Sequence, residues 1–272
     1  MIAARPPRRA IFLLAVLAPL AWPSSARAEV IKVTSPDYWC PFSCKANTTE
    51  EGFTIDILRA IFEPQGDQIQ YINLNYARAL REVRQGHIHA ISSAFREEVP
   101  GFTLPNLPIS QDRYCFYTTS VPGWTYNGPD SLAGLKVGII QGYSYGAEID
   151  EHIKRNPAGF EVHSGEDLTQ KVARKVMLGR LDAFVEDTNL VQYLLARQPS
   201  IKLHEAGCAS ESYPYFALSP AIKNKDDLAR RFDEGLIKLH HSGKLEQIMR
   251  KYGLHDWLGH YLEGRGRATT AK

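Results

Sequence analysis

Three short stretches hold the residue types that could do chemistry. One apolar strand ends in Ser92-Ser93 and a second ends in Glu186-Asp187. A third strand runs into Gln141-Gly142-Tyr143-Ser144, a loop that precedes a helix. Parallel strands present their ligands at their C-terminal ends, so hydroxyls and carboxylates placed there line a cleft. The exposed backbone N–H groups of the 141–144 loop, backed by the helix dipole, form a natural cradle for a carboxylate. The loop also matches a nucleophile elbow: Gly142-Tyr143-Ser144-Tyr145-Gly146 is Gly-x-Ser-x-Gly between a strand and a helix, with Asp187 and His204 following in hydrolase order. Asp187 has a plainer role open to it as the N-cap of a helix beginning at Thr188.

The elements that must position these residues repeat. Ala77 to Gln85 reads as a helix, closes at Gly86, and leads through Ala90 into Ile91-Ser92-Ser93. Leu168 to Leu178 is again helical, closes at Gly179, and leads through Ala183 into Phe184-Val185. In both copies glycine stands where a left-handed residue ends the helix. Two helix–Gly–strand units predict two similar α/β lobes with a cleft between them.

The rest of the chain fits that plan. Val30 to Thr34 is a β-branched strand, followed by a loop holding Tyr38, Trp39 and Phe42. After Gly52 comes a helix with Ile55, Leu58, Ile61 and Phe62 on one face, stopped by Pro64 and Gly66. Strands are expected at 68–74, 114–119 and 135–140, helices at 146–155 and 190–196, and a return strand at 215–218. Helices at 226–241 and 245–252 complete the fold, and the tail after Leu262 is expected to be disordered. Lobe one is assigned residues 29–112 and 219–262, lobe two 113–218, and the tail 263–272.

Residues 1–28 read as a cleaved secretory leader. Arg5, Arg8 and Arg9 form a positive head, Ala10 to Ala21 a short apolar core, and Ala26-Arg27-Ala28 a small-x-small cleavage site. The apolar run is too short for a membrane span. Four of the 32 basic residues lie in this leader, leaving 28 against 30 acidic ones. The mature chain is therefore near neutral, without the basic stripe that nucleic-acid binding needs.

Four cysteines in a secreted chain suggest disulfides. Cys40 and Cys44 flank a tight loop that they could close together, leaving Cys115 and Cys208. A zinc site built from all four thiolates is the rival, but such ligands usually come as two close pairs. Two bridges are the favoured reading. No other metal motif stands out: His240 and His241 are adjacent and diverge on a helix, and there is no His-Glu-x-x-His run or phosphate loop. No metal or cofactor is expected.

The ordered set of residues resembles the family 3 periplasmic solute-binding proteins, the amino-acid type that feeds ABC transporters. It is carried by Pro41-Phe42, Gly52-Phe53-Thr54-Ile55-Asp56-Ile57 and Leu80 to Ala90. Leu135-Lys136-Val137-Gly138 with Gln141-Gly142, Gly179 to Ala183, Asp187 and Ser242-Gly243-Lys244-Leu245 extend it over nearly the whole mature chain. The resemblance implies an α/β, type II two-lobe fold that closes on its ligand like a hinged trap. It implies that the Cys40–Cys44 loop is disulfide-closed. It further implies that Asp187 receives a ligand amino group, that the Gln141–Ser144 loop takes a carboxylate, and that Tyr38, Trp39 and Tyr76 line the side-chain pocket. Asp182 is expected to hold local backbone.

One departure from the family pattern matters. The arginine that grips an α-carboxylate in many amino-acid binders falls at Val99, which cannot do so. Arg96 could substitute through forked hydrogen bonds, or be a solvated loop charge. His89 also replaces a usual acid. The reading is a periplasmic monomer that captures a small, polar, zwitterionic solute for an ABC permease, with no catalysis and no nucleic acid. Ser93 and Tyr143 join the binding set. The rivals are a serine hydrolase using Ser144, a dehydratase recruiting Glu186 or Glu97, and a partner of an oxidoreductase or sensor.

Overall fold

Val33, at the centre of strand β1 (Val30–Ser35), has parallel neighbours on both sides: Tyr71 of β2 (Gln68–Asn73) and Ala90 of β3 (Ala90–Ala94). Strand β3, which lies between β1 and β9 inside the sheet, is buried at every residue. The computed structural model describes residues 28–119, 124–165 and 167–270. The leader expected over 1–28 lies outside them apart from its last residue.

Two sheets form. The first has the order β2–β1–β3–β9, with β9 (Tyr215–Leu218) antiparallel to β3. The second runs β6 (Phe160–His163), β5 (Val137–Ile140), β7 (Ala183–Asp187), β4 (Asp112–Thr118), β8 (His204–Ser212). Here β5 is parallel to β6 and β7, while β4 is antiparallel to β7 and β8. The arrangement β2–β1–β3 thus recurs as β6–β5–β7. The repeated phrase builds both copies. In the first, α2 (Tyr76–Arg84) ends ahead of Gly86 at φ 80° and feeds β3; in the second, α4 (Leu168–Met177) ends ahead of Gly179 at φ 67° and feeds β7.

Helix α1 (Phe53–Phe62) buries Phe53, Ile55, Ile57, Leu58, Ile61 and Phe62 against the first sheet. The C-terminal helices α6 (Lys225–His241) and α7 (Lys244–Lys251) complete that core with Phe232, Leu236, Leu245 and Met249. In the second lobe α3 (Ala147–Arg155) and α4 cover opposite faces: Ile149 joins Phe116 and Val185, whereas Val172 and Val176 join Phe184 and Tyr117. Among the described residues no helix is long and apolar enough to cross a membrane.

Both disulfides form, Cys40–Cys44 and Cys115–Cys208, so the four thiolates that a zinc site would need are consumed. The second bridge ties β4 to β8 across 93 residues.

Three expectations need correction. The expected place of strand 215–218 is lobe two, but β9 pairs with β3 and buries Phe216 and Leu218 in the first core, so the chain returns between Ser212 and Tyr215. Strands β6 and β8 were not foreseen; both are edge strands of the second sheet, and β8 is too polar to show alternation. Where a disordered tail is expected after Leu262, residues 263–270 continue α8 (Leu258–Thr270), a helix that starts on the buried Leu258.

Candidate ligand-binding cleft

The C-terminal ends of β1, β3, β5 and β7 border one cavity of about 770 Å³ between the two sheets, within the range of small-molecule sites. Past β1 come Pro36, Tyr38 and Trp39; β3 gives Ser93 and then Phe95; β5 is followed by Gly142, Tyr143 and Ser144; β7 ends at Asp187. Of the residues singled out from sequence, Tyr38, Trp39, Tyr76, Ser93, Gly142, Tyr143, Ser144 and Asp187 are brought together here. Arg96 and Gln141 are not.

Asp187 is 3 % exposed. Its Oδ1 caps α5 (Thr188–Arg197), accepting from the N–H groups of Asn189 at 2.8 Å and Leu190 at 3.3 Å. Its Oδ2 is buried with no hydrogen-bond partner. Burial pushes the carboxyl up to about 7, against the downward pull of those N–H groups and of the Asn189 side chain and Arg113 N–H nearby, neither of which meets hydrogen-bond geometry with Oδ2. Asp112, 1 % exposed, also lines the cavity and accepts from the Ser110 hydroxyl at 2.9 Å. Burial, and after it the charge of Asp187, holds Asp112 well above the usual carboxylate range. Behind them Glu186 accepts from the Thr169 hydroxyl at 2.9 Å, and burial pushes it to about 8.

The aromatic walls are fixed by local packing. The Cys40–Cys44 loop turns back so that the Ser43 N–H donates to the Trp39 carbonyl at 3.0 Å, and Trp39 stacks on the buried Phe42 with centroids 4.6 Å apart. Across the cleft, Tyr114 meets Tyr145 edge to face at 5.4 Å, and Tyr145 meets Tyr143 at 6.3 Å. The Tyr76 hydroxyl donates to Glu98 Oε2 at 2.6 Å, which also accepts the Phe95 N–H at 3.0 Å. Tyr38 stands at the rim, 75 % exposed.

The anion-binding expectations fare differently. Arg96 lies on a short helical turn, Arg96–Glu98, that brings Phe95 and Glu97 to the cavity and leaves the exposed guanidinium over the Tyr215 ring, 4.7 Å from its centre. Gln141 continues the β5–β6 ladder instead of facing the cleft, its N–H donating to the His163 carbonyl at 2.8 Å. Val99 is buried in the first lobe with Val83 and Ile91. Asp182 holds local backbone, accepting the Lys136 N–H at 2.7 Å.

The hydrolase geometry is absent. Ser144 Oγ donates to Asp150 Oδ2 at 2.5 Å, and His204 pairs with Thr118 at the far end of β4 from Asp112, six residues or about 20 Å along the strand. Sequence reasoning missed Asp112, Tyr114, Glu211 and their neighbours in β8. Asp112 begins β4 with no flanking motif, and only its pairing beside β7 brings it to the cleft.

The family model of bacterial extracellular solute-binding proteins, family 3, matches residues 31–255. A probable histidine-binding protein of Campylobacter jejuni is 25 % identical over 228 residues, covering 81 % of this chain and 83 % of that protein. The L-arginine-binding protein of Pseudomonas aeruginosa is 26 % identical over 259 residues, covering 89 % and 95 %. Among solved structures, substrate-binding domain 2 of GlnP from Lactococcus lactis in an open conformation shares the fold, with TM-score 0.63 and 20 % identity over 83 % of this chain and 96 % of that one. A match spanning most of the described residues, together with two sheets facing one cleft, makes this chain a member of the bacterial extracellular solute-binding proteins, family 3.

Proposed function

We propose that this chain is a periplasmic binding protein that captures a small amine-bearing solute, of the amino-acid class or related to it, and delivers it to an ABC permease. It does no chemistry on that solute. One observation carries the assignment of the ammonium site: Oδ2 of Asp187 is buried beside the cavity without a partner. Leaving a buried carboxylate oxygen unpaired is costly, and a ligand N–H removes the cost. The relatives named for histidine and arginine bind amino acids with basic side chains, which agrees with an acidic cleft. Closure of the lobes would bury the ion pair and strengthen it.

A thermal-shift screen of amino acids, amines, carboxylates and sugars tests the proposal. A ligand present at about 100 times its dissociation constant adds about 2.7 kcal/mol of stability. A hit whose shift disappears in Asp187→Asn supports the reading. A screen in which no solute shifts the protein would overturn it.

A further inference from the structure

An α-amino acid brings a carboxylate into a cleft as well as an ammonium, and something must receive that anion. Among the described residues no Arg, Lys or His lines this cavity, whereas Glu97, Glu98, Asp112, Asp187 and Glu211 do. Arg96, beside the lining residues Phe95 and Glu97, has its guanidinium over the Tyr215 ring. The loop before α3 is committed as well. Asp150, from the first turn of α3, takes the Ser144 hydroxyl at 2.5 Å and the Tyr145 N–H at 2.9 Å. The chain's own carboxylate therefore sits where a ligand carboxylate was expected.

The site is equally specific about what it offers. Asp187 Oδ2 and Ser93 Oγ are both buried without partners, and both residues line the cavity. An ionised Asp187 oxygen can only accept, as from an ammonium group, whereas the Ser93 hydroxyl can accept or donate. Trp39, Tyr76, Tyr114 and Tyr143 add ring faces, whose quadrupoles attract cations. A ligand carboxylate in the same space would meet like charges and lose its hydration.

Resting on the solute-binding reading above, we propose that the cleft takes a cation without a carboxylate. The ligand is an amine carried on an aromatic or aliphatic body, preferred over the zwitterionic amino acid with the same side chain.

Calorimetry on the mature protein with matched pairs tests this: phenethylamine against phenylalanine, agmatine against arginine, cadaverine against lysine. The members of each pair differ only by the α-carboxylate. The expected result is that at least one amine binds about tenfold or more tighter than its amino acid, with no pair reversed. In Asp187→Asn, where asparagine keeps the helix cap, the amine's affinity should fall at least about tenfold while the fold is retained. A smaller or reversed ratio overturns the inference and leaves the solute-binding reading standing. Binding confined to carboxylates or sugars that carry no amine overturns both this inference and the amine-bearing reading on which it rests. If no solute of any class binds, both fall together.

Discussion

Asp112 and Asp187 lie diagonally across adjacent antiparallel strands: Tyr114, two residues after Asp112, pairs with Asp187 in the β4–β7 ladder, and Asp112 itself pairs with Ser212. Both are buried, both line the cavity, and the charge of Asp187 raises the proton affinity of Asp112. Two like charges so placed cannot both ionise cheaply, so a bound cation should favour their ionised forms and displace protons from them.

Folding stability measured without added ligand should carry a pH signature of this cluster. Asp187 at about 7 and Glu186 at about 8 bind protons more tightly folded than unfolded. A raised folded value gives stability that is fully present below the unfolded value and lost as pH rises through the folded one. Between about pH 5 and pH 8.5 the cluster therefore destabilises the fold progressively. His89 and His163, lowered by burial, act in the opposite direction. The measurement is consequently the melting-temperature difference between wild type and Glu186→Gln/Asp187→Asn, which shares those histidines. The variant should gain on wild type as pH rises, and a difference that stays flat would remove the cluster from the account.

Cation capture should release protons for the same reason. Affinity for an amine should rise between about pH 6 and pH 8, as the carboxylates ionise against it. Calorimetry in buffers of different ionisation enthalpy reads the release directly. Net proton uptake over that range would contradict the placement of the ligand's cation beside Asp187.

Two substitutions separate the two roles of Asp187. Asp187→Ala removes both the α5 cap and the charge, and loss of the cap alone costs about 1 kcal/mol of stability. Asp187→Asn keeps an acceptor for the Asn189 and Leu190 N–H groups and removes only the charge. Both should lose ligand affinity, whereas only alanine should shorten the helix, as read by amide exchange at its first turn. Exchange that quickens equally in both variants would mean that the cap needs the charge.

Much of this architecture was legible in the residues. The helix–Gly–strand phrase at 77–93 and again at 168–187 defined both lobes, because left-handed closure and buried parallel strands leave strong local marks. The polar ends of those strands led directly to Ser93 and Asp187. Asp112 was hidden because its position depends on a non-local pairing, and a lone acid at a strand start carries no periodic signal. Arg96 misled for a related reason: its type suits carboxylate binding, but only the direction of the 96–98 turn decides which neighbour its guanidinium meets. The Asp150 lock on Ser144 and Tyr145 was likewise a side-chain contact that spacing could not reveal.

Gly52 offers a test of how the aromatic wall is held. It has φ 107°, and a Cβ there would lie 2.3 Å from the Phe42 carbonyl oxygen. That oxygen also accepts the Thr54 hydroxyl at 2.8 Å, and the Phe53 N–H donates to the Pro41 carbonyl at 2.9 Å. The Cys40–Cys44 loop is thus pressed onto the start of α1, and Trp39 depends on it through the Phe42 stack. Gly66 serves as control, with φ 98° but nothing within 4 Å of its Cβ position. Gly66→Ala should cost about 1 kcal/mol of backbone strain. Gly52→Ala should add about 1–3 kcal/mol of steric displacement and weaken ligand binding as well, because the loop moves Trp39 with it. Urea denaturation and calorimetry on the two variants check this. Equal stability losses, or a Gly52→Ala protein with unchanged affinity, would show that Trp39 is held by something other than this contact.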